Sequence, residues 1–360
     1  VGLFLCGGKQ VTKQSYQTQW LGLKNLFLLF FLIIGEIALA KGYEDQRSRS
    51  KHFDGSQFFN PVRNDKSFWS FLKMRMGTEW ATWPDWIETS FGKINPIRVD
   101  GDEMHVTHIN HSTVLIQVAG KNILTDPIFS DRCSPVSWAG PIRMRKPGVP
   151  FEGLPPIDFV LISHDHYDHL DLPTIERLIE RDKPRFFVGL GVGERFESME
   201  NVMEMDWWES TQVTDAIKFH FVPVQHFSGR SLWDRNSTQW GGFVIEAGTR
   251  RIYFGGDTGY ADHFKQTRER LGAMDLALLP IGAYGPRDFM KYAHVDPDEA
   301  VQAHLDLETK LSIGIHYGTF QLTSEEYDAP IKALGEAMTK YGVAKDLFLT
   351  PSFGEVLKFK

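Results

Sequence analysis

The sequence predicts an α/β protein in which two sheets face one another and helices cover their outer faces. Two observations lead there. Apolar runs of strand length alternate with helical patterns in two successive halves, roughly 103–208 and 217–360, and such alternation folds into sheet layers flanked by helices. Several of these runs end in His or Asp, followed by small or turn-forming residues, so polar groups gather where strands stop.

In the first half, Met104 to Ile109 and Thr113 to Val118 read as strands, and Gly120-Lys-Asn122 makes the turn into a third, Ile123 to Asp126. Asp158 to Ser163 is a short buried strand with four successive apolar residues. Asp171-Leu-Pro-Thr then opens a helix to about Arg181, with Asp171 as N-cap and Pro173 in the first turn, where its missing N–H costs nothing. In the second half the runs Ile217 to His226, Arg251 to Asp257 and Leu311 to His316 are strands. Helices are expected at about Tyr260 to Leu271, Pro297 to Leu305 and Ser324 to Tyr341.

The chain divides into four parts. Residues 1–40 hold the apolar run Leu26 to Ile34, with Lys24 before it and Ala38-Leu-Ala40 after it, which reads as a signal peptide or N-terminal anchor. The reading implies export to a cell envelope or periplasm, or membrane association; the alternative is an ordinary buried helix in a cytoplasmic protein. Because the first methionine is Met74, the first 20 or so residues also read as an overextended start. Residues 41–65 are polar and read as a linker. Residues 66–100 form an aromatic-rich arm, with Phe68, Trp69, Trp80, Trp83 and Trp86 among basic residues, suited to clasp the body or to lie at a lipid interface. Residues 101–360 form the main domain.

Composition excludes some classes. A net charge of −7, falling to about −9 without residues 1–40, and the lack of a basic block argue against a nucleic-acid partner. Cys6 and Cys133 are the two cysteines, and Cys6 lies in the leader, so no internal structural disulfide is expected.

The stretch from Leu161 to His169 reads Leu-Ile-Ser-His-Asp-His-Tyr-Asp-His and sets four ligating side chains, His164, His166, Asp168 and His169, at the end of a strand. These cannot all wrap one tetrahedral ion, so the spacing suggests two: His164 and His166 on one, Asp168 and His169 on the other. His226, Asp257 and His316 stand at the ends of three further strands. The economical arrangement has His226 completing the first site, His316 the second, and Asp257 bridging. His111 and Asp126 are placed to accept or fix the remaining ring N–H groups behind the ligands. His52, His105, His108, His220, His263 and His304 lack such settings and are expected to be structural or solvent-facing.

The ligand order, together with Thr125-Asp-Pro-Ile-Phe129, Asp206-Trp-Trp-Glu209, Gly256-Asp-Thr-Gly-Tyr260, Pro280-Ile-Gly-Ala-Tyr284, His294-Val-Asp-Pro297 and Ile315-His-Tyr-Gly-Thr-Phe320, resembles the N-acyl-phosphatidylethanolamine-hydrolysing phospholipase D family of the metallo-β-lactamase fold superfamily. The likeness runs from about Trp83 onward. It implies an αβ/βα four-layer sandwich and a dinuclear zinc centre, although imidazole and carboxylate also accept iron or manganese. It further implies cleavage of a membrane phospholipid to N-acylethanolamine and phosphatidic acid by a hydroxide bridging two ions about 3.5 to 4 Å apart. In that mechanism Asp257 balances charge, Asp168 orients the hydroxide, and His294 contacts the phosphate or leaving group. Dimerisation is a further expectation of the resemblance. Leu172 and Ala293 depart from the mammalian-type pattern, which carries Tyr and Gln there, near the expected headgroup region. An apolar groove is expected among Phe129, Trp138, Trp207, Trp208, Phe227, Trp233 and Tyr284. The same fold also hosts lactone and thioester hydrolysis, so a metal-dependent hydrolase of that kind is the alternative.

Overall fold

The computed structural model describes residues 44–62, 73, 74 and 76–360. Residues 1–43, 63–72 and 75, which include the expected leader with Cys6, both ends of the linker and part of the arm, lie outside them. Two seven-stranded sheets form the body. The first has the order β14-β1-β2-β3-β4-β5-β6, with β1 Met104–Asn110, β2 Thr113–Val118, β3 Lys121–Thr125, β4 Phe159–Leu161, β5 Arg185–Gly189, β6 Val202–Met205 and β14 Val356–Phe359. The second has the order β13-β12-β11-β10-β9-β8-β7, with β7 Ser210–Gln212, β8 Ile217–Val222, β9 Gly242–Ala247, β10 Arg250–Phe254, β11 Leu276–Pro280, β12 Leu311–Ile315 and β13 Phe348–Leu349. The helices are α1 Leu172–Arg181, α2 His263–Leu271, the short α3 Arg287–Met290, α4 Pro297–Asp306 and α5 Ala329–Tyr341.

Side-chain alternation along each strand produces four layers. Phe159 and Leu161 of β4 and Ile252 and Phe254 of β10 point into a core between the sheets, shared with Phe187, Phe219 and Ile313. Their neighbours point outward. Val160 packs with Ile175 and Leu178 of α1, and Tyr253 with Phe264 of α2, Val301 of α4 and Leu334 of α5. A strand flanked on both faces must be apolar throughout, which is why Phe159 to Leu161 shows no polar alternation. The expected αβ/βα sandwich is the fold observed.

Element edges moved for identifiable reasons. Strand β8 ends at Val222 because Pro223 has no N–H to pair. Helix α5 starts at Ala329 instead of Ser324, and the Glu325 carboxylate accepts from the backbone N–H groups of Tyr284 and Gly285 at 3.2 and 3.0 Å. Asp171 precedes α1 but does not cap it through its side chain. Its carboxylate accepts from Phe129 N, Ser130 N and Ser130 Oγ, fixing the loop after β3.

Residues 44–62 do not behave as a free linker. Arg47 Nε donates to the Ser237 carbonyl at 2.8 Å and its guanidinium pairs with Glu194; Ser50 Oγ donates to Asp206. Phe58, 1% exposed, enters the core between the sheets. Composition misled here because the polar residues of this strap make specific bonds to the body. The arm likewise clasps the sandwich, through Ile87 N to Met144 O, Gly92 N to Gly148 O and Trp83 Nε1 to Glu325 O. From Thr78 to Gly101 it forms neither helix nor strand.

Under the strap, burial raises Glu204 to about 7 although it accepts from Gly193 N at 2.8 Å. A carboxyl raised in the fold adds stability that is complete below its unfolded value and lost as pH rises through about 7. Denaturation of Glu204→Gln at pH 5 and pH 8 is therefore expected to show less loss across this window than the parent; equal losses would refute the assignment.

Candidate metal centre

The ligand-type residues sit at strand ends along one edge of the sandwich. The loop after β4 carries His164 to His169, the segment after β8 brings His226, and Asp257 and His316 follow β10 and β12. His164, His166 and His226 bring ring nitrogens within 4.8 Å of one another, as do His111, Asp168, His169 and His316 with their nitrogen and carboxylate atoms. Asp257 faces both groups. Its Oδ2 lies 3.2 Å from His169 Nε2, 3.1 Å from His316 Nε2 and 3.8 Å from His226 Nε2. All seven residues expected as ligands thus converge in the two sets the spacing suggested.

The backbone at this edge is held under tension. His111, Asp126 and His316 have φ of 45°, 31° and 60° without being glycine, conformations that cost of order 1–3 kcal/mol each unless neighbours enforce them. His316 N donates to His111 O, and His111 N to Thr319 Oγ1. Gly256 (φ 56°) leaves no room for a side chain, since a Cβ would lie 2.4 Å from Ser163 Cβ. Gly256→Ala is therefore expected to shift Asp257 or Ser163, lowering stability by roughly 1–2 kcal/mol from the left-handed conformation alone and weakening metal retention. Elemental analysis and thermal unfolding test it; wild-type values for both would show the site tolerates the change.

Residues behind the ligands orient them. Asp126, fully buried, takes His169 Nδ1 at 2.6 Å and accepts from Ser163 N and Oγ. His111 Nε2 lies 3.0 Å from Asp168 Oδ2. Both residues thus contact candidate ligands, and His111 is close enough to join their set. His294 Nδ1 lies 3.9 Å from Asp257 Oδ2, and its ring is 5.1 Å from that of His226.

Charge is divided between the two sets. His164 and His226 are lowered well below the usual imidazole value by burial, leaving neutral rings with lone pairs to offer. Burial alone would lower His169, yet Asp257, Asp168 and Asp126 raise it well above that value. Against burial, Asp257 raises His316 as well, to about 9, with help from Asp168. Asp257 and Asp168 are held well below the carboxylate range, against burial and chiefly by His169. Such a set calls for positive charge. Asp257 Oδ1, His169 Nε2 and His294 Nδ1 are buried and make no hydrogen bond, so the donor set fits divalent cations by both chemistry and unmet valence.

Some contributors were not legible in the sequence. Ser163 Oγ lies 2.9 Å from His164 Nδ1, and the Ala293 carbonyl takes His226 Nδ1 at 2.8 Å. Asn60 of the strap donates to the His226 carbonyl at 2.7 Å and to Tyr292 Oη at 2.8 Å. Asp165, fully buried inside the ligand loop, accepts from Gly229 N at 2.8 Å and from Arg195 at 3.1 Å. Arg230 donates to the carbonyls of Asp165 and Leu170, pinning both ends of that loop. No local pattern marks these residues; only the meeting of distant segments does.

The six other described histidines stay outside the ligand groups, as expected: His304 Nδ1 bonds Ser312 Oγ, His263 Nε2 bonds Thr258 Oγ1, and His108 Nε2 receives support from the His111 carbonyl. The expected apolar groove is not one surface. Trp207 belongs to the core between the sheets, Phe129 stacks edge-on to Phe151, and Trp138 and Trp233 are 79% and 90% exposed. Leu172 packs toward the core under α1. Cys133 is buried and unpaired, its thiol raised by burial.

Fold and site together define a metal-dependent hydrolase of the metallo-β-lactamase class. Residues 121–317 match the beta-lactamase superfamily domain. Solved structures with this fold include a metallo hydrolase from Ignicoccus hospitalis (TM-score 0.54, 21% identity, 72% of this chain and 99% of that one) and an isothiocyanate hydrolase from Delia radicum gut bacteria (0.55, 21%, 71% and 99%). Curated relatives are closer. The N-acyl-phosphatidylethanolamine-hydrolyzing phospholipase D 1 of Caenorhabditis elegans is 40% identical over 72% of this chain and 78% of that one. The mitochondrial enzyme of that activity from Saccharomyces cerevisiae is 36% identical over 66% of this chain and 52% of its own length. The chain belongs to the N-acyl-phosphatidylethanolamine-hydrolysing phospholipase D family.

Proposed function

We propose that this protein hydrolyses the phosphodiester of a membrane phospholipid, N-acyl-phosphatidylethanolamine or a close relative, releasing phosphatidic acid. The observation that carries the reading is the convergence of six ligand-type side chains in two sets about the buried Asp257, in a chain 40% identical to an enzyme named for this reaction. His164, His166 and His226 would hold one cation; Asp168, His169 and His316 the other; Asp257 would serve both. Zinc is the expected metal. Two such cations supply Lewis acidity toward the phosphoryl oxygens and acidify water near neutral pH.

The chain's own residues do the rest. Asp257 offers its unbonded Oδ1 and balances charge, while Asp168, fixed by His111, faces the second set. Asp126 holds the His169 ring and Ala293 the His226 ring, so neither reorients during turnover. His294, with Nδ1 unpaired beside Asp257 and lowered to about 4 by burial, is neutral at pH 7 and can accept a hydrogen bond from the departing group or donate one to a phosphate oxygen.

Among the described residues no helix is long and apolar enough to cross a membrane. Attachment to the lipid surface is assigned in this reading to the apolar run Leu26 to Ile34 and to the aromatic arm, on their composition. The test is hydrolysis by metal-loaded protein in mixed micelles of N-acyl-phosphatidylethanolamine, plain phospholipids or an acyl lactone. Phosphatidic acid release supports the reading, and the ratio between lipids sets its headgroup preference. Lactone turnover with intact phospholipids would transfer the site to ester hydrolysis.

A further inference from the structure

Beside Tyr317 and Gly318, which follow His316 in the chain, a cavity of about 300 Å³ opens between the arm, the segment after β12 and the start of α5. Its wall includes Thr89, Arg145, Tyr317, Tyr327 and Ser352. Arg145 is the cation of this cavity, and it is unmatched. Among the described residues it forms neither an ion pair nor a hydrogen bond, and lies instead over the Phe353 ring at 4.6 Å. Its Nε is buried without a partner, and so is Thr89 Oγ1. Glu88, the one acid on the lining, makes no ion pair with it.

Two unmet buried polar atoms in one cavity are expensive, and each unmet group calls for a partner. Their positions are fixed by the fold. Ile87 N donates to Met144 O at 2.7 Å and Met144 N to Thr319 O at 2.8 Å, so the strands of chain bearing Thr89, Arg145 and Tyr317 are laced side by side. A guanidinium edge beside hydroxyl groups suits a tetrahedral oxyanion, which accepts several bonds at once.

We propose that this cavity is a second ligand site, which binds a phosphate group with Arg145 as its cation and Thr89 as a further donor. The site is separate from the metal centre and does not depend on the reaction proposed above. Tyr317 forms part of its wall and directly follows His316, so an occupant rests against the chain that carries a metal ligand.

The experiment is calorimetric titration of the metal-loaded full chain with inorganic phosphate. The parent is expected to bind two phosphates, one at the metals and one at Arg145. Arg145→Gln should lose one and Asp257→Asn should weaken the other. Thr89→Val, which preserves shape, should weaken the Arg145 site roughly tenfold or more and decides the matter if Arg145→Gln fails to fold. Unchanged binding in both Arg145→Gln and Thr89→Val overturns the proposal, as does a single phosphate lost only in Asp257→Asn. If Asp257→Asn changes nothing while Arg145→Gln loses a phosphate, the metal assignment fails and this site stands. Glycerol phosphate and phosphatidylcholine vesicles with or without phosphatidylglycerol separate the sources. Loss of vesicle binding in Arg145→Gln assigns the site to a lipid headgroup, and loss confined to the soluble probes assigns it to a free phosphate ester.

Discussion

Asp257→Asn is expected to abolish most hydrolysis while leaving the fold intact. The asparagine is nearly isosteric, but it replaces with a neutral group a carboxylate that lies 3.1 and 3.2 Å from nitrogens of one ligand set and 3.8 Å from a nitrogen of the other. Losing several kcal/mol of charge stabilisation, at about 1.4 kcal/mol for each tenfold, lowers turnover by roughly a thousandfold or more. Metal content should fall with it, because Asp257 faces both sets. Turnover and elemental analysis read the two effects together. A variant that keeps both near the parent's level would remove Asp257 from the centre and with it the two-cation reading.

Chelation carries the next largest effect, and it reaches beyond activity. Without cations the centre gathers the buried Asp126 and Asp257 and the part-buried Asp168 among seven histidines, and several polar atoms there stay unbonded. An ion present at about a thousand times its dissociation constant adds about 4 kcal/mol to stability. For a domain of this size 1 kcal/mol moves Tm by roughly 2–3 °C. Stripping the metal should therefore lower Tm by roughly 10 °C and remove turnover, and adding zinc back should restore both. Because protons compete with metal for imidazole and carboxylate, the drop should be smaller at pH 5.5 than at pH 8. A chelated protein that melts and turns over like the loaded one would sink the assignment.

The candidate ligands were legible because they stand where apolar runs end, Asp257 and His316 each as the first strongly polar residue after a strand and His164 to His169 as one cluster in a loop. Sheet alternation around Phe159 to Leu161 and Arg250 to Phe254 was equally local. What escaped depends on segments far apart in the chain. Asn60 and His226 are separated by 166 positions, and nothing near Asn60 announces that its amide closes on the His226 carbonyl. The strap was misread for the same reason, since a polar segment that finds specific partners has the composition of one that finds none. Asp171 shows the limit of capping rules: it stands at a helix start, yet spends its carboxylate on the loop after β3.

Strands β13 and β14 lie only a few residues apart, yet one edges the second sheet and the other the first. Between them Phe353 is buried, and Gly354 N donates to His108 O in β1. Residues 348–359 thus work as a clasp fastened last. A nascent chain still holding this stretch inside the ribosomal exit tunnel has both sheets missing a border and β1 without its outer neighbour, so the sandwich cannot settle until synthesis has passed residue 359. The chelating edge is translated before that stretch, so its histidines meet both completed sheets only once residues 348–359 have been added.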